Sequence, residues 1–239
     1  MKKILLSLIM IAQSSLAGVI ATSGFDQNQM LELYSSESCS SCPPADKWVS
    51  TLKAHPMLWK SVFPIVFHVD YWNGLGWKDE LSDSKMTQRQ IDLSHQWAKS
   101  QVYTPGFIVN GKEWSNWSGH PLPELPKKTT YQIALNETEP LKFQVDVNKG
   151  SLSGKNLIVR MALLGFGLES NVTSGENSGK HLAHDFVVLD WDWKTVTSSY
   201  RILFNFKKPR QKVERLAAVV WLEETENPSP LQVAGGYLK

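Results

Sequence analysis

Cysteine is scarce: the 239 residues hold two, both inside Cys39-Ser40-Ser41-Cys42. No third cysteine exists to pair with either, which excludes a framework of structural disulfides. A zinc site built from two cysteine pairs is excluded for the same reason. No stretch beyond the N-terminus approaches about 18 consecutive apolar residues, so no membrane-spanning helix is expected in the processed chain. Basic residues never run longer than Lys207-Lys208 and the net charge is only +2. That balance offers no footprint for nucleic acid or an anionic membrane surface. A nucleophile elbow, a phosphate loop, a paired-acid hydrolase site, internal repeats and low-complexity tracts are all missing. No cofactor is expected.

What is present begins with an export signal. Lys2 and Lys3 precede an apolar run from Ile4 to Ala12, and Ser15-Leu16-Ala17 offers a small-x-small cleavage site. Cutting after Ala17 is expected, with Val19-Ile20-Ala21 as a second candidate. The product is expected to be soluble and periplasmic or secreted, with no stable membrane insertion after cleavage. In an oxidising compartment a lone cysteine pair is free for chemistry: redox exchange, half of a metal site, or neither.

The chain divides at a proline-rich stretch, Pro121, Pro123 and Pro126, followed by Lys127-Lys128. Before it, helix and strand alternate. Met30 to Tyr34 reads as a strand, and Pro43-Pro44-Ala45-Asp46 as a helix start, with proline tolerated in the first turn and an early acid suiting the dipole. Phe63 to Val69 reads as a buried strand and Ser84 to Lys99 as a helix. Val102 to Val109 reads as a strand that turns back at Asn110-Gly111. After it the period changes to two: Leu141, Phe143, Val145 and Val147 alternate with polar residues, as do Tyr200, Ile202, Phe204 and Phe206. Leu157–Leu164, Phe186–Trp193 and Leu216–Leu222 are further strand candidates, and together they predict an antiparallel β-sandwich.

A Cys-x-x-Cys at a helix start places its first sulfur near the positive end of the dipole, which favours the reactive thiolate. Strand, Cys-x-x-Cys, helix, strand, helix, then Thr104-Pro105 opening a strand, resembles the thioredoxin fold. The resemblance implies a cis proline at Pro105, facing substrate beside the active-site pair, and a buried acid on the preceding strand that assists proton transfer, for which Glu32 is the matching candidate. More closely, Leu31 to Tyr34, Cys39 to Asp46, His68 to Trp72, Leu75 to Asp79 and Val102 to Pro105 resemble a domain-of-unknown-function family of secreted bacterial proteins with plant relatives. Gly175 to Lys180 and His184 to Val188 extend that likeness. The family implies location more than activity.

The expected architecture is therefore an α/β thioredoxin-like domain followed by a smaller all-β, sandwich-like domain. The boundaries are residues 1–17 for the signal peptide, 25–126 for the cysteine-bearing domain and 135–239 for the β-rich one. The expected function is thiol-disulfide exchange, as an oxidoreductase: Cys39 attacks or is attacked, Cys42 resolves, Pro105 faces substrate and Glu32 aids proton transfer. Its partners are a protein or small thiol or disulfide and a redox recycling partner. Two alternatives stand beside it. One is copper or zinc binding through Cys39, Cys42 and His68; the other is a non-catalytic binding module. His181 and His184, three apart in a predicted strand, point to opposite faces and make a poor metal pair. Trp72, Trp77 and Trp114 are candidates for an apolar groove near the cysteines.

Overall fold

The computed structural model describes residues 18–97, 101–124, 127–148, 156–196 and 200–239. The export signal expected over residues 1–17, and its cleavage after Ala17, lie outside them. The first part of the chain forms β1 (Gly18–Thr22), β2 (Gln29–Ser35), α1 (Pro43–Thr51), β3 (Val62–His68), α2 (Ser84–His95), β4 (Gly106–Val109) and β5 (Lys112–Glu113). Then follow β6 (Gln132–Glu139), β7 (Lys142–Asn148), β8 (Leu157–Phe166), β9 (Leu168–Asn171), β10 (His181–His184), β11 (Val187–Thr195), β12 (Arg201–Asn205), β13 (Arg215–Glu224) and β14 (Asn227–Tyr237).

These strands make an eight-stranded mixed sheet of order β14-β13-β8-β11-β3-β2-β4-β5, a four-stranded sheet β1-β6-β7-β12 and the hairpin β9-β10. The expected α/β thioredoxin-like domain followed by a separate smaller sandwich-like domain is therefore corrected. The protein is mostly β-sheet, with two α-helices among the described residues, and the larger sheet draws four strands from each half of the chain. The joint is a parallel pairing of Val187 with Val66, where the Val66 N–H also donates to the Phe186 carbonyl at 2.9 Å. Local periodicity cannot reveal so short a seam between distant segments.

The long strands next to that joint explain why the sheet continues. In β8, Leu157, Val159, Met161 and Leu163 face one apolar cluster, while Ala162, Leu164 and Phe166 face the other. A strand buried on both faces carries apolar residues at every position and needs cover on each side. The four-stranded sheet supplies one cover through Ile133, Leu135, Phe143, Val145 and Phe204. On the other face Trp221, fully buried, meets Phe67 and the stacked ring of Trp191.

The two helices cover opposite faces of β2. Alternation sends Ser35 toward α1, where its hydroxyl donates to Asp46 at 3.0 Å, and sends Glu32 and Tyr34 toward α2. α2 starts at Asp83, whose side chain accepts from the Lys85 N–H, an N-cap. Its inward face of Met86, Arg89, Gln90 and Leu93 follows the helical period. Asn110-Gly111 takes φ of 45° and 80°, the mirror-image turn that suits a two-residue hairpin.

Candidate functional site

At the end of β2 the chain stays buried through Ser36, Glu37, Ser38 and Cys39, then turns. The Cys42 N–H donates to the Cys39 carbonyl at 3.2 Å, and Cys39 and Cys42 are joined as a disulfide with Cα atoms 5.5 Å apart. Cys42 is also the N-cap of α1. Pro43 and Pro44 remove two N–H donors from the first turn, and the Ala45 and Asp46 N–H groups return to the Cys42 carbonyl. What remains to relieve a negative charge on sulfur is the helix dipole and, at Cys39, the Ser41 hydroxyl 3.3 Å from its Sγ. Cys39 is 2% exposed and Cys42 is closed off entirely, so Cys39 presents whatever sulfur surface there is.

Over this turn lies the segment linking β9 to β10. Asn177, fully buried, donates both amide hydrogens, to the Glu37 carbonyl at 2.8 Å and the Cys39 carbonyl at 2.9 Å. Lys180 holds the amide oxygen of Asn177 at 2.8 Å. The Ser40 N–H donates to Glu176 at 3.2 Å, and the Ser40 hydroxyl together with this N–H draws the Glu176 carboxyl below its ordinary range. Ser174 ties the segment to the Gly76 carbonyl. Ser40 and Ser41 stay exposed at the edge of this cover.

Beneath the turn is a buried polar cluster. Asp79 Oδ2 accepts from the Glu37 N–H at 2.9 Å and meets His68 Nδ1 at 2.6 Å, while Oδ1 accepts from the Leu81 N–H. His68 Nε2 then has no hydrogen-bond partner. The His184 ring meets His68 edge-on, with centroids 4.9 Å apart, and both its nitrogens lack a hydrogen-bond partner. Its Nε2 stands 3.3 Å from Glu37 Oε1, near enough for charge attraction but off the line of a hydrogen bond. Asp46 Oδ2 accepts from Ser35 and its Oδ1 is unpartnered. Ligand atoms of Asp46, His68 and His184 all lie within 4.8 Å of one another.

The electrostatics follow from burial and these neighbours. Burial alone would push the His68 pKa down, but the Asp79 carboxylate, helped by Asp46 and Glu37, lifts it to about 9. Burial would raise Asp79, yet His68 and two backbone N–H groups hold it below the usual carboxylate range. For Asp46 burial prevails and its pKa is raised despite the two histidines. Burial would also raise Glu37, but contacts to His184, Ser170 and Trp77 outweigh it and lower its pKa.

Of the residues singled out in the sequence, Cys39, Cys42 and His68 meet in this region. The Thr104–Pro105 bond is cis, and Gly106 opposes Tyr34 in the β2–β4 register. Pro105 and the cysteine turn therefore sit at the same end of the sheet. Trp72 donates to Thr104 and Trp77 to Glu37, both at 2.8 Å, so these two flank the site. Trp114 is instead buried against Trp48 and Phe107. Glu32 lies on the α2 face of β2, fully buried, held by Arg89 at 2.7 and 3.1 Å and by the Tyr34 hydroxyl at 2.8 Å. His68 turns to Asp79, whereas Asp70 accepts from Thr87.

Sequence reading missed Asn177, Glu37, Asp79 and the convergence of His184 with His68 and Asp46. Alternation separated His181 from His184 as expected, with His181 exposed and His184 buried, but it says nothing of partners elsewhere in the chain. The available signal was positional: Asp46, His68, Asp79, Asn177 and His184 all fall in the segments that carry the family likeness.

Comparison with known proteins agrees with that likeness. No curated protein matches the chain. A crystal structure of an Agrobacterium tumefaciens protein is 19% identical, covering 89% of this chain and 94% of that one, with a TM-score of 0.55. HBP35 of Porphyromonas gingivalis is 16% identical over 90% of this chain and 76% of that one, with a TM-score of 0.58. At such identities the likeness concerns the fold alone. Residues 30–223, which hold both the cysteine turn and its cover, match the family described as "Protein of unknown function (DUF1223)", and the chain belongs to that family.

Proposed function

We propose that this is an exported thiol-disulfide exchange protein working through the Cys39–Cys42 couple. The observation that carries the reading is a disulfide across two residues at the N-terminus of α1, in a chain with no other cysteine. A substrate thiolate attacks Cys39 Sγ, the sulfur with some exposure. The Cys39–Cys42 bond breaks and Cys42 departs as a thiolate at the positive end of the helix dipole. A second substrate thiolate then attacks the substrate sulfur of the mixed disulfide and releases Cys39. Two electrons and two protons pass to the pair, and the substrate leaves as a disulfide; the reverse sequence reduces a disulfide.

Cys39 needs more room than its 2% exposure gives, so reaction requires the Asn177 segment to draw back. The substrate class is a protein or small dithiol, with a recycling partner to restore the couple. Oxidation of a dithiol peptide and reduction of a peptide disulfide, each measured for wild type and Cys39→Ser, test the reading. Both activities should vanish in the variant, and Cys42→Ser should accumulate a mixed disulfide through Cys39. Equal turnover by wild type and Cys39→Ser would end it.

A further inference from the structure

We propose that Asp46, His68 and His184 form a binding site for a divalent first-row transition metal, with zinc as the reference ion. These donors share no residue with the Cys39, Cys42 and His68 set except His68, and the site stands whether or not the cysteines exchange.

A ligating histidine characteristically donates its second ring nitrogen to a carboxylate, which fixes the tautomer and aims the free nitrogen at the ion. His68 does this: Nδ1 is held by Asp79 at 2.6 Å, and Asp79 is itself pinned by the Glu37 and Leu81 N–H groups. Nε2 is left bare. Ser35 secures one oxygen of Asp46 in the same manner and leaves the other open.

Asp46 Oδ1, His68 Nε2, both His184 nitrogens and Glu37 Oε1 are shielded from water without a hydrogen-bond partner. The residues bearing them are between 0% and 7% exposed. Buried polar atoms are almost always satisfied, so such a concentration of bare atoms calls for a partner. One ion would be in reach of one ligand atom from each of Asp46, His68 and His184, which lie within 4.8 Å of one another.

Glu37, Asp46 and Asp79 bring three carboxyl groups into one buried cluster whose only basic neighbours are His68 and His184, with no Lys or Arg among the described residues paired to any of them. Lys53, just past α1, pairs instead with Asp185 at 2.6 Å. Two imidazoles and a carboxylate suit a borderline cation such as zinc more than calcium or magnesium, which prefer all-oxygen sets. Three protein ligands leave a fourth position, and Glu37 Oε1 is the adjacent unpartnered oxygen.

The site is enclosed, so ions enter most readily as the chain folds. The experiment therefore refolds the full-length processed protein from denaturant with zinc chloride or with chelator, removes excess ion, and measures bound zinc. Competition with a chromophoric chelator then gives the affinity. One zinc per chain is expected, with a higher unfolding midpoint for the zinc-loaded form. Asp79→Asn, which touches only the orienting shell, should weaken binding about tenfold to a hundredfold. Asp46→Asn, of unchanged size, and His184→Gln should weaken it at least as much, each checked by near-ultraviolet circular dichroism. The Cys39→Ser/Cys42→Ser variant should keep its zinc, which separates this site from a thiolate one and from the exchange reading. Refolded wild type that retains no zinc overturns the proposal, as does binding lost with the cysteines and kept in His184→Gln.

Discussion

Asn177→Ala should make the cysteine bridge react faster although no sulfur is touched. The wild-type side chain is fully buried and gives both amide hydrogens to the Glu37 and Cys39 carbonyls, at 2.8 and 2.9 Å. In the variant the Glu37 carbonyl remains inside the closed arrangement with no donor, while the Cys39 carbonyl keeps only the Cys42 N–H. A buried, unpartnered acceptor costs roughly 1–3 kcal/mol, so the loss at Glu37 gives about 2 kcal/mol. The penalty falls on the closed state alone, because water reaches both carbonyls once the segment opens. A shift of about 2 kcal/mol moves the closed–open balance by roughly thirtyfold. Reduction by dilute dithiothreitol, followed by alkylating the freed thiols at timed intervals, should accelerate by about that factor. The reductant must be dilute enough for opening to equilibrate before each reduction. Ser178→Ala, an exposed neighbour, serves as the control. An unchanged rate in an Asn177→Ala protein that still unfolds cooperatively would refute the idea that this segment governs access.

Four variants measured by urea unfolding probe the frame that holds the site. Arg89→Met strands Glu32, which keeps only the Tyr34 hydroxyl, and should cost roughly 3–5 kcal/mol; a loss below about 1 kcal/mol would contradict a buried ion-pair role. Adding Glu32→Gln to that variant should recover part of the loss, because the uncompensated carboxylate goes with it. Trp221→Ala empties the contact among Phe67, Trp191 and α2 and should cost about 3–5 kcal/mol, visible in both the midpoint and the near-ultraviolet spectrum. Gly111→Ala should cost on the order of 1–3 kcal/mol, since its φ of 80° disfavours a side chain and a Cβ there would overlap Ser229, reaching its Cα at 2.9 Å.

How much of this was legible varies with the range of the interaction. The two prolines and early acid at 43–46 mark the start of α1, and Asn110-Gly111 marks a hairpin, because those signals act within a few residues. The alternation from Leu141 to Val147 became β7 with its odd-numbered residues inward, since one face of that strand is covered and the other wet. Leu157–Leu164 marks a strand but not its setting: an apolar run interrupted only by Arg160 says buried on both faces without naming the neighbours. That missing neighbour decides the architecture, since Val187 joining Val66 turns two apparent halves into one sheet. Glu32 shows the same limit. Its type and place on the strand matched a proton-transfer acid, yet Arg89, 57 residues on, holds it from the α2 side. His184 reads as an unremarkable strand residue until the fold sets it against His68.

The distance along the chain between Cys39 and Asn177 has a consequence for how the protein is made. They are 138 residues apart, and the Asn177 segment is anchored by β9, β10 and the seam at Val187. A chain emerging from its N-terminus therefore presents the cysteine turn long before its cover exists. Until residues 172–188 are laid down, the cysteines are open to any thiol or oxidant nearby, and His68 and Asp46 await their third partner. Pairings this remote in sequence form late, after costly loop closures. Closure over the cysteines thus reports that the two halves of the sheet have joined, and a chain truncated ahead of β10 would carry the reactive pair without its guard.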